Sequence, residues 1–340
     1  MAFRALERGT DPEQASFRIA WSPCGRYIAC GDDTPNSTNL ARAWHAESGR
    51  AAYIVPVDDD SDLYAAAIGF AGEQLIIVTR RGCLVYEAAT GKLTKRLPVA
   101  RGEVTCAHVS PLGRVTLCED NDIRNIHDIR VIDVASGAEL FKTSATSASD
   151  ASDAGDAGDA LHVHAVALSA DGTKVAALMH RGLCHIDNAS KLVVWDVTGS
   201  SPTVRVEPVD HGHILEWAHR SDAIAFPVRD QLVVLRIAPD GTTTRDATAF
   251  ADIVEDAAWA PNDGAIACIV GNDIVLARAS DLSGPPLRTI ALQAAAGHAG
   301  CGTCVTFAPD GSAVATLEFW IPDPSDVGEA PLHPGVRSLK

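Results

Sequence analysis

Large side chains are scarce in this 340-residue chain: it has 2 Met, and aromatic residues make up 5%. A core must therefore be assembled mostly from Ala, Val, Ile and Leu, and an apolar content of 46% is enough for a continuous one. Positive charge is also scarce. Lys and Arg number 28 against 44 Asp and Glu, a formal charge of −16. That deficit argues against a nucleic-acid partner, whose phosphates need clustered Lys and Arg, and against docking on an anionic membrane. No apolar run approaches the roughly 18 residues of a membrane-spanning helix. The opening residues MAFRALERGT lack the apolar stretch of a secretory signal. The 9 Cys are scattered without a framework of spacings, so reduced, buried thiols and a cytoplasmic location are expected.

Short catalytic motifs are missing as well. There is no Gly-x-Ser-x-Gly elbow, no phosphate-cradling GxxxxGK[ST] loop and no HExxH. Carboxylates are plentiful, but nothing in the sequence pairs them as acid and base. Cys301-Gly-Thr-Cys304 is a lone CxxC that leads into a strand, which suits structural thiols better than a redox pair at a helix N-terminus. His162-Val-His164 and His211-Gly-His213 each precede a strand and read as structural caps. No catalytic residue, cofactor or metal ligand is assigned.

What is present is a repeat. A short apolar strand ends in a large apolar residue, a polar turn such as Pro-x-Gly or Asp-Gly follows, and a second apolar strand comes next. Clear copies are FRIAWSPCGRYIACG (17–31), VTCAHVSPLGRVTLC (104–118), VHAVALSADGTKVAALM (163–179), VEDAAWAPNDGAIACIV (254–270) and CVTFAPDGSAVATLEF (304–319), with weaker copies at 64–78 and 214–228. The anchors Trp21, Phe70, Val109, Leu168, Trp217, Trp259 and Phe307 lie 49, 39, 59, 49, 42 and 48 residues apart. Third strands such as LVVWDV (192–197) and LVVLRI (232–237) follow, then Gly-bearing turns and a fourth strand. Four strands per unit of 40–50 residues is the signature of propeller blades.

The expected fold is thus all-β: a single seven-bladed β-propeller of four-stranded antiparallel blades. The blades span about 15–57, 63–100, 101–143, 161–209, 211–249, 252–292 and 298–340 plus 2–8, and 144–160 is a flexible acidic inter-blade loop. The last blade is expected to close by pairing GVRSL (335–339) with the N-terminal strand Phe3–Glu7, which removes open sheet edges.

Gly297-His298 ahead of CVTFAPDG, together with Trp195-Asp196, resembles the Gly-His and Trp-Asp elements of WD-repeat propellers. The resemblance implies a binding fold whose second-to-third-strand loops and inter-blade loops share one face, the top. Insertions at 31–39, 119–128, 179–190 and 321–334 would place many carboxylates there. The candidate partner-binding residues are Asp32, Asp33, Asp120, Asp122, His127, Asp128, His180, Arg181, His185 and Asp187. The function expected is a non-catalytic protein-interaction scaffold that takes a protein partner through a basic segment. The alternative is a lactonase- or hydrolase-like propeller enzyme, or a metal-dependent binder, acting at the central channel mouth.

Overall fold

The computed structural model describes residues 3–5, 19–31, 39–56, 65–98, 102–121, 126–145, 161–181, 190–198, 202–209, 214–292, 299–321 and 333–339. Their strands form seven four-stranded antiparallel sheets. The first comprises β2 (Ile19–Trp21), β3 (Tyr27–Gly31), β4 (Asn39–His45) and β5 (Ala51–Pro56). The second is β6 (Ala65–Ala71) to β9 (Leu93–Pro98), and the third β10 (Glu103–Val109), β11 (Arg114–Asn121), β12 (Ile126–Asp133) and β13 (Glu139–Ser144). The fourth comprises β14 (Leu161–Leu168), β15 (Lys174–Arg181), β16 (Ser190–Asp196) and β17 (Pro202–Val209). The fifth runs from β18 (Glu216–Trp217) to β21 (Thr243–Ala249), and the sixth from β22 (Val254–Trp259) to β25 (Arg288–Ala291). The last joins β26 (Ala299–Phe307), β27 (Ala313–Ile321) and β28 (His333–Ser338) to β1 (Phe3–Ala5). In that sheet Phe3 pairs with Arg337 and Ala5 with Gly335.

The first strand of each sheet packs on the first strand of the next, and β26 returns to β2, so the sheets close into a ring. The core follows this plan. Each junction between neighbouring sheets has its own apolar cluster, from Leu40, Phe70 and Tyr86 between blades 1 and 2 to Trp44, Cys304 and Ala315 between blades 7 and 1. Continuously apolar strands such as AIAFPV in β19 (Ala223–Val228) are buried on both faces because a blade lies on either side.

The repeat's turn chemistry has a geometric cause. In Ser22-Pro23-Cys24-Gly25, Gly25 N–H donates to Ser22 C=O at 2.8 Å, and Gly25 takes φ +73°. Proline presets φ at the second turn position, and glycine tolerates the left-handed fourth. Ser110–Gly113, Ser169–Gly172 and Ala308–Gly311 repeat the bond. In Ala260-Pro261-Asn262-Asp263-Gly264 the left-handed position falls on Asp263, φ +57°, and not on the glycine. A second repeated device is a one-residue bulge in the first strand, seen at Ala65/Ala67, Val104/Cys106, Val163/Ala165, Val254/Asp256 and Gly302/Cys304. It sharpens the local twist three residues before the anchor. His164 occupies one of these bulges, so it does not simply share a face with His162 as strict alternation would require.

The boundaries differ from the sequence reading around blade 3. Ser144 belongs to β13 and Ala145 is buried, so the inter-blade connection starts later than residue 144.

Candidate functional site

In a four-stranded antiparallel meander, the second-to-third-strand connection and the connection to the next blade leave from the same end. On that top end blades 2, 5 and 6 close with the two-residue turns Arg80-Arg81, Arg229-Asp230 and Gly271-Asn272. Blades 1, 3, 4 and 7 instead carry the segments 32–38, 122–125, 182–189 and 322–332, and 146–160 joins blade 3 to blade 4. Asp32, Asp33, Asp122, His185 and Asp187, as well as His211, His213 and the Gly297-His298 element, lie outside the described residues. His180 and Arg181 are the last two residues of β15.

Asp120, His127 and Asp128 are not the free loop residues that the sequence suggested. The β11–β12 hairpin runs further than its apolar pattern indicates, pairing Asp120 with His127 and Asn121 with Ile126. His127 is consequently 4% exposed. Its Nδ1 meets Cys118 Sγ at 3.7 Å, and its Nε2 meets His162 Nδ1 of the neighbouring blade at 3.3 Å. Burial holds the imidazole below its ordinary range; Asp120 acts in the opposite direction, and His162 adds to the lowering. The Asp120 Oδ1 atom is buried without a hydrogen-bond partner among the described residues. Asp128 points away from this group and pairs with Lys142 at 2.9 Å. Beside it, the buried Glu119 accepts from Arg130 Nη1 at 2.5 Å, and Arg130 Nε donates to Glu139 at the same distance. Much of the described acid on blade 3 is thereby neutralised within the sheet.

A concave feature among the described residues is the central channel, a cavity of about 410 Å³ lined by the first strands of all seven blades. Several polar groups of its lining bind the backbone of a neighbouring blade. His108 Nδ1 accepts from Leu168 N–H at 3.4 Å, and the His219 ring nitrogen Nε2 lies 3.2 Å from Trp259 C=O. Asp256 accepts from its own blade through Ala257 N–H and from the next through Val305 N–H, at 2.8 and 2.7 Å. Two of the three tryptophan anchors do the same: Trp217 Nε1 donates to Ala167 C=O and Trp259 Nε1 to Glu216 C=O, each at 3.2 Å, whereas Trp21 Nε1 has no partner among the described residues. Sequence reasoning missed Asp256; its one signal was a carboxylate at an inner-strand position that is Ala67 and Ala165 in other blades.

Two sequence motifs can also be placed. Cys304 is buried within β26. Trp195 is fully buried but its Nε1 has no partner among the described residues, while Asp196 caps its own turn through Thr198 N–H at 2.8 Å. The Trp-Asp dipeptide thus sits at a strand end without a hydrogen bond from the indole.

Ring, blade topology and channel define the chain as a β-propeller. Solved structures share the fold. The β-propeller domain of Cps50 (Swd1) from Myceliophteria thermophila superposes with TM-score 0.71 at 10% identity, covering 100% of both chains. A chain of a mitotic checkpoint complex superposes with TM-score 0.65 at 16% identity, covering 96% of this chain and 92% of that one. No family model matches the sequence, and no curated protein does.

Proposed function

We propose that the chain is a seven-bladed propeller of the WD-repeat kind that acts as a non-catalytic platform for a protein partner. The observation that carries this reading is the asymmetry of the top end. Three blades close with two-residue turns, whereas extended segments cluster on blades 1, 3, 4 and 7. Long connections held by a rigid scaffold are where binding residues concentrate. The segment 146–160, TSASDASDAGDAGDA, contributes four Asp and no basic residue. With the net charge of −16 it favours a basic segment on the partner. One of the structural neighbours is a chain of a mitotic checkpoint complex, which fits such a role. The buried thiols of Cys83, Cys106, Cys118 and Cys268 suit a reducing, cytoplasmic setting.

The rival reading, an enzyme at the channel mouth, finds less support. His108, His219 and Asp256 are each engaged with the backbone of a neighbouring blade.

Affinity capture from the native cell with the full chain and with a chain lacking 146–160 tests the proposal. The expected result is a partner held at low salt, weakened at high salt and weakened by the deletion. Recovery of no partner at low salt by either chain overturns it.

A further inference from the structure

Blade 3 sets two thiols face to face. Cys106 of β10 and Cys118 of β11 are directly opposite partners in the antiparallel pair, and both are free. Residues in that relation stand about 4.5–5.5 Å apart at Cα, within the span of roughly 4.4–6.8 Å that a disulfide bridges. Their side chains interact. The contact with Cys106 is the first cause that holds the Cys118 thiol well above its ordinary range, and burial is the second.

The pairing is particular to this blade. The bulge in the first strand puts Cys106 at the position of Ala67, Ala165, Asp256 and Cys304 in the other bulged blades. The residue opposite is aliphatic there, as Val78, Leu178, Ile269 and Leu317, and is Cys118 here. A bulge twists its strand and re-aims the side chains beside it.

A proton acceptor adjoins the pair. Cys118 Sγ lies 3.7 Å from His127 Nδ1, and His127 Nε2 lies 3.3 Å from His162 Nδ1. Burial lowers the affinity of His127 for a second proton, so the ring is neutral at neutral pH. A neutral imidazole donates from one nitrogen and accepts at the other. With Nε2–H donated to His162, Nδ1 accepts the Cys118 S–H. His162 is partly exposed, so this chain of groups leads from a buried thiol toward solvent. Cys106 is 6% exposed and Cys118 0%, so a small oxidant meets Cys106 first.

We propose that Cys106 and Cys118 form a dithiol site that hydrogen peroxide converts to a disulfide, with His127 as proton acceptor for Cys118. In the first step the Cys106 sulfur attacks one peroxide oxygen. The O–O bond breaks, the sulfur becomes a sulfenic acid, and the thiol proton leaves with the other oxygen as water. In the second step Cys118 passes its proton to His127 and attacks the Cys106 sulfur. The S–S bond forms and the S–O bond breaks, and the departing hydroxide takes the proton from His127 to leave as water. The two thiols lose two electrons, which the peroxide gains. The bond ties β10 to β11 where blade 3 meets blade 4. The site is independent of the partner reading, since oxidation is measured on the chain alone.

Trypsin cuts after Arg101, Arg114 and Arg124, so the two cysteines fall in separate peptides, 102–114 and 115–124. The test treats the reduced full chain with hydrogen peroxide at neutral pH, blocks remaining thiols with iodoacetamide in denaturant, digests without reductant and maps the peptides by mass spectrometry. The two peptides are expected to be joined and to separate on reduction. His127→Gln, its fold confirmed by circular dichroism, is expected to form the bond about tenfold or more slowly. Cys118→Ser is expected to leave Cys106 as a sulfenic acid that dimedone traps. The wild-type map decides the matter even if a variant fails to fold. Recovery of both cysteines alkylated, or of 102–114 joined only to a peptide other than 115–124, overturns the proposal. A folded His127→Gln chain that oxidises as fast as the wild type overturns the role of His127.

Discussion

Asp256 Oδ2 accepts the backbone N–H of Val305 at 2.7 Å, so a carboxylate buried in blade 6 holds the inner strand of blade 7. Its other oxygen takes Ala257 N–H. Asp256→Ala leaves both donors without that acceptor and should lower unfolding free energy by about 2–4 kcal/mol, with Asp256→Asn costing about half as much. Urea denaturation of the three chains measures this; an alanine variant as stable as the wild type would show that the bond contributes nothing.

Asp263 poses a backbone trade-off. It sits at φ +57° while its carboxylate accepts from His219 N–H, Arg220 N–H and Ser221 Oγ of blade 5 at 2.8, 2.8 and 2.9 Å. Asp263→Ala keeps the left-handed strain and loses all three bonds. Asp263→Gly loses the bonds but relieves about 1 kcal/mol of strain. Both should destabilise, with alanine the worse by about that amount in thermal or urea unfolding.

Two buried tryptophans should respond differently to removal of the indole N–H. Trp217 Nε1 bonds Ala167 C=O across a blade boundary, whereas Trp195 Nε1 has no partner among the described residues. Trp217→Phe should therefore cost about 1 kcal/mol more than Trp195→Phe, because it also strips a buried carbonyl of its donor. Equal losses would argue that packing alone decides both.

Cys24 is exposed, in contrast to the buried Cys30, Cys83, Cys106, Cys118, Cys268 and Cys304. Partial burial pushes its thiol up, but hydrogen bonds from Arg26 and Ser22 outweigh that and leave it below its ordinary range. Burial drives Cys83 up to about 12. At neutral pH iodoacetamide should label Cys24 first among these seven, and Arg26→Ala should slow the reaction by about two- to fivefold. Peptide mapping by mass spectrometry reads both outcomes.

The Gly82 position tests the tightness of the hairpins. A Cβ there would stand 2.4 Å from the Leu97 carbonyl oxygen, a backbone atom with no freedom to rotate away. Gly82→Ala should destabilise by about 2–3 kcal/mol in urea unfolding, within the range of overpacked sites.

The repeat was legible because each unit restates the same local rules: an apolar first strand, a turn with proline and a left-handed residue, then a second apolar strand. Those rules located every anchor from Trp21 to Phe307. Local rules do not single out Asp263, which has a glycine beside it; the three donors of blade 5 explain why the aspartate takes the left-handed conformation. They misread Asp120, His127 and Asp128 as loop residues for a related reason. Polar residues at a strand end look like a loop until a neighbouring sheet covers them.

By itself, then, the sequence determined the strand rhythm, the turn chemistry and the all-β class, since these depend on neighbours a few residues apart. The tertiary structure alone decided which side chains meet across blades. His127 and His162, separated by 35 positions, touch because the β11–β12 and β14–β15 registers bring both to one blade boundary. Register is a property of two strands together and of the sheet packed against them, and no single stretch of chain encodes it.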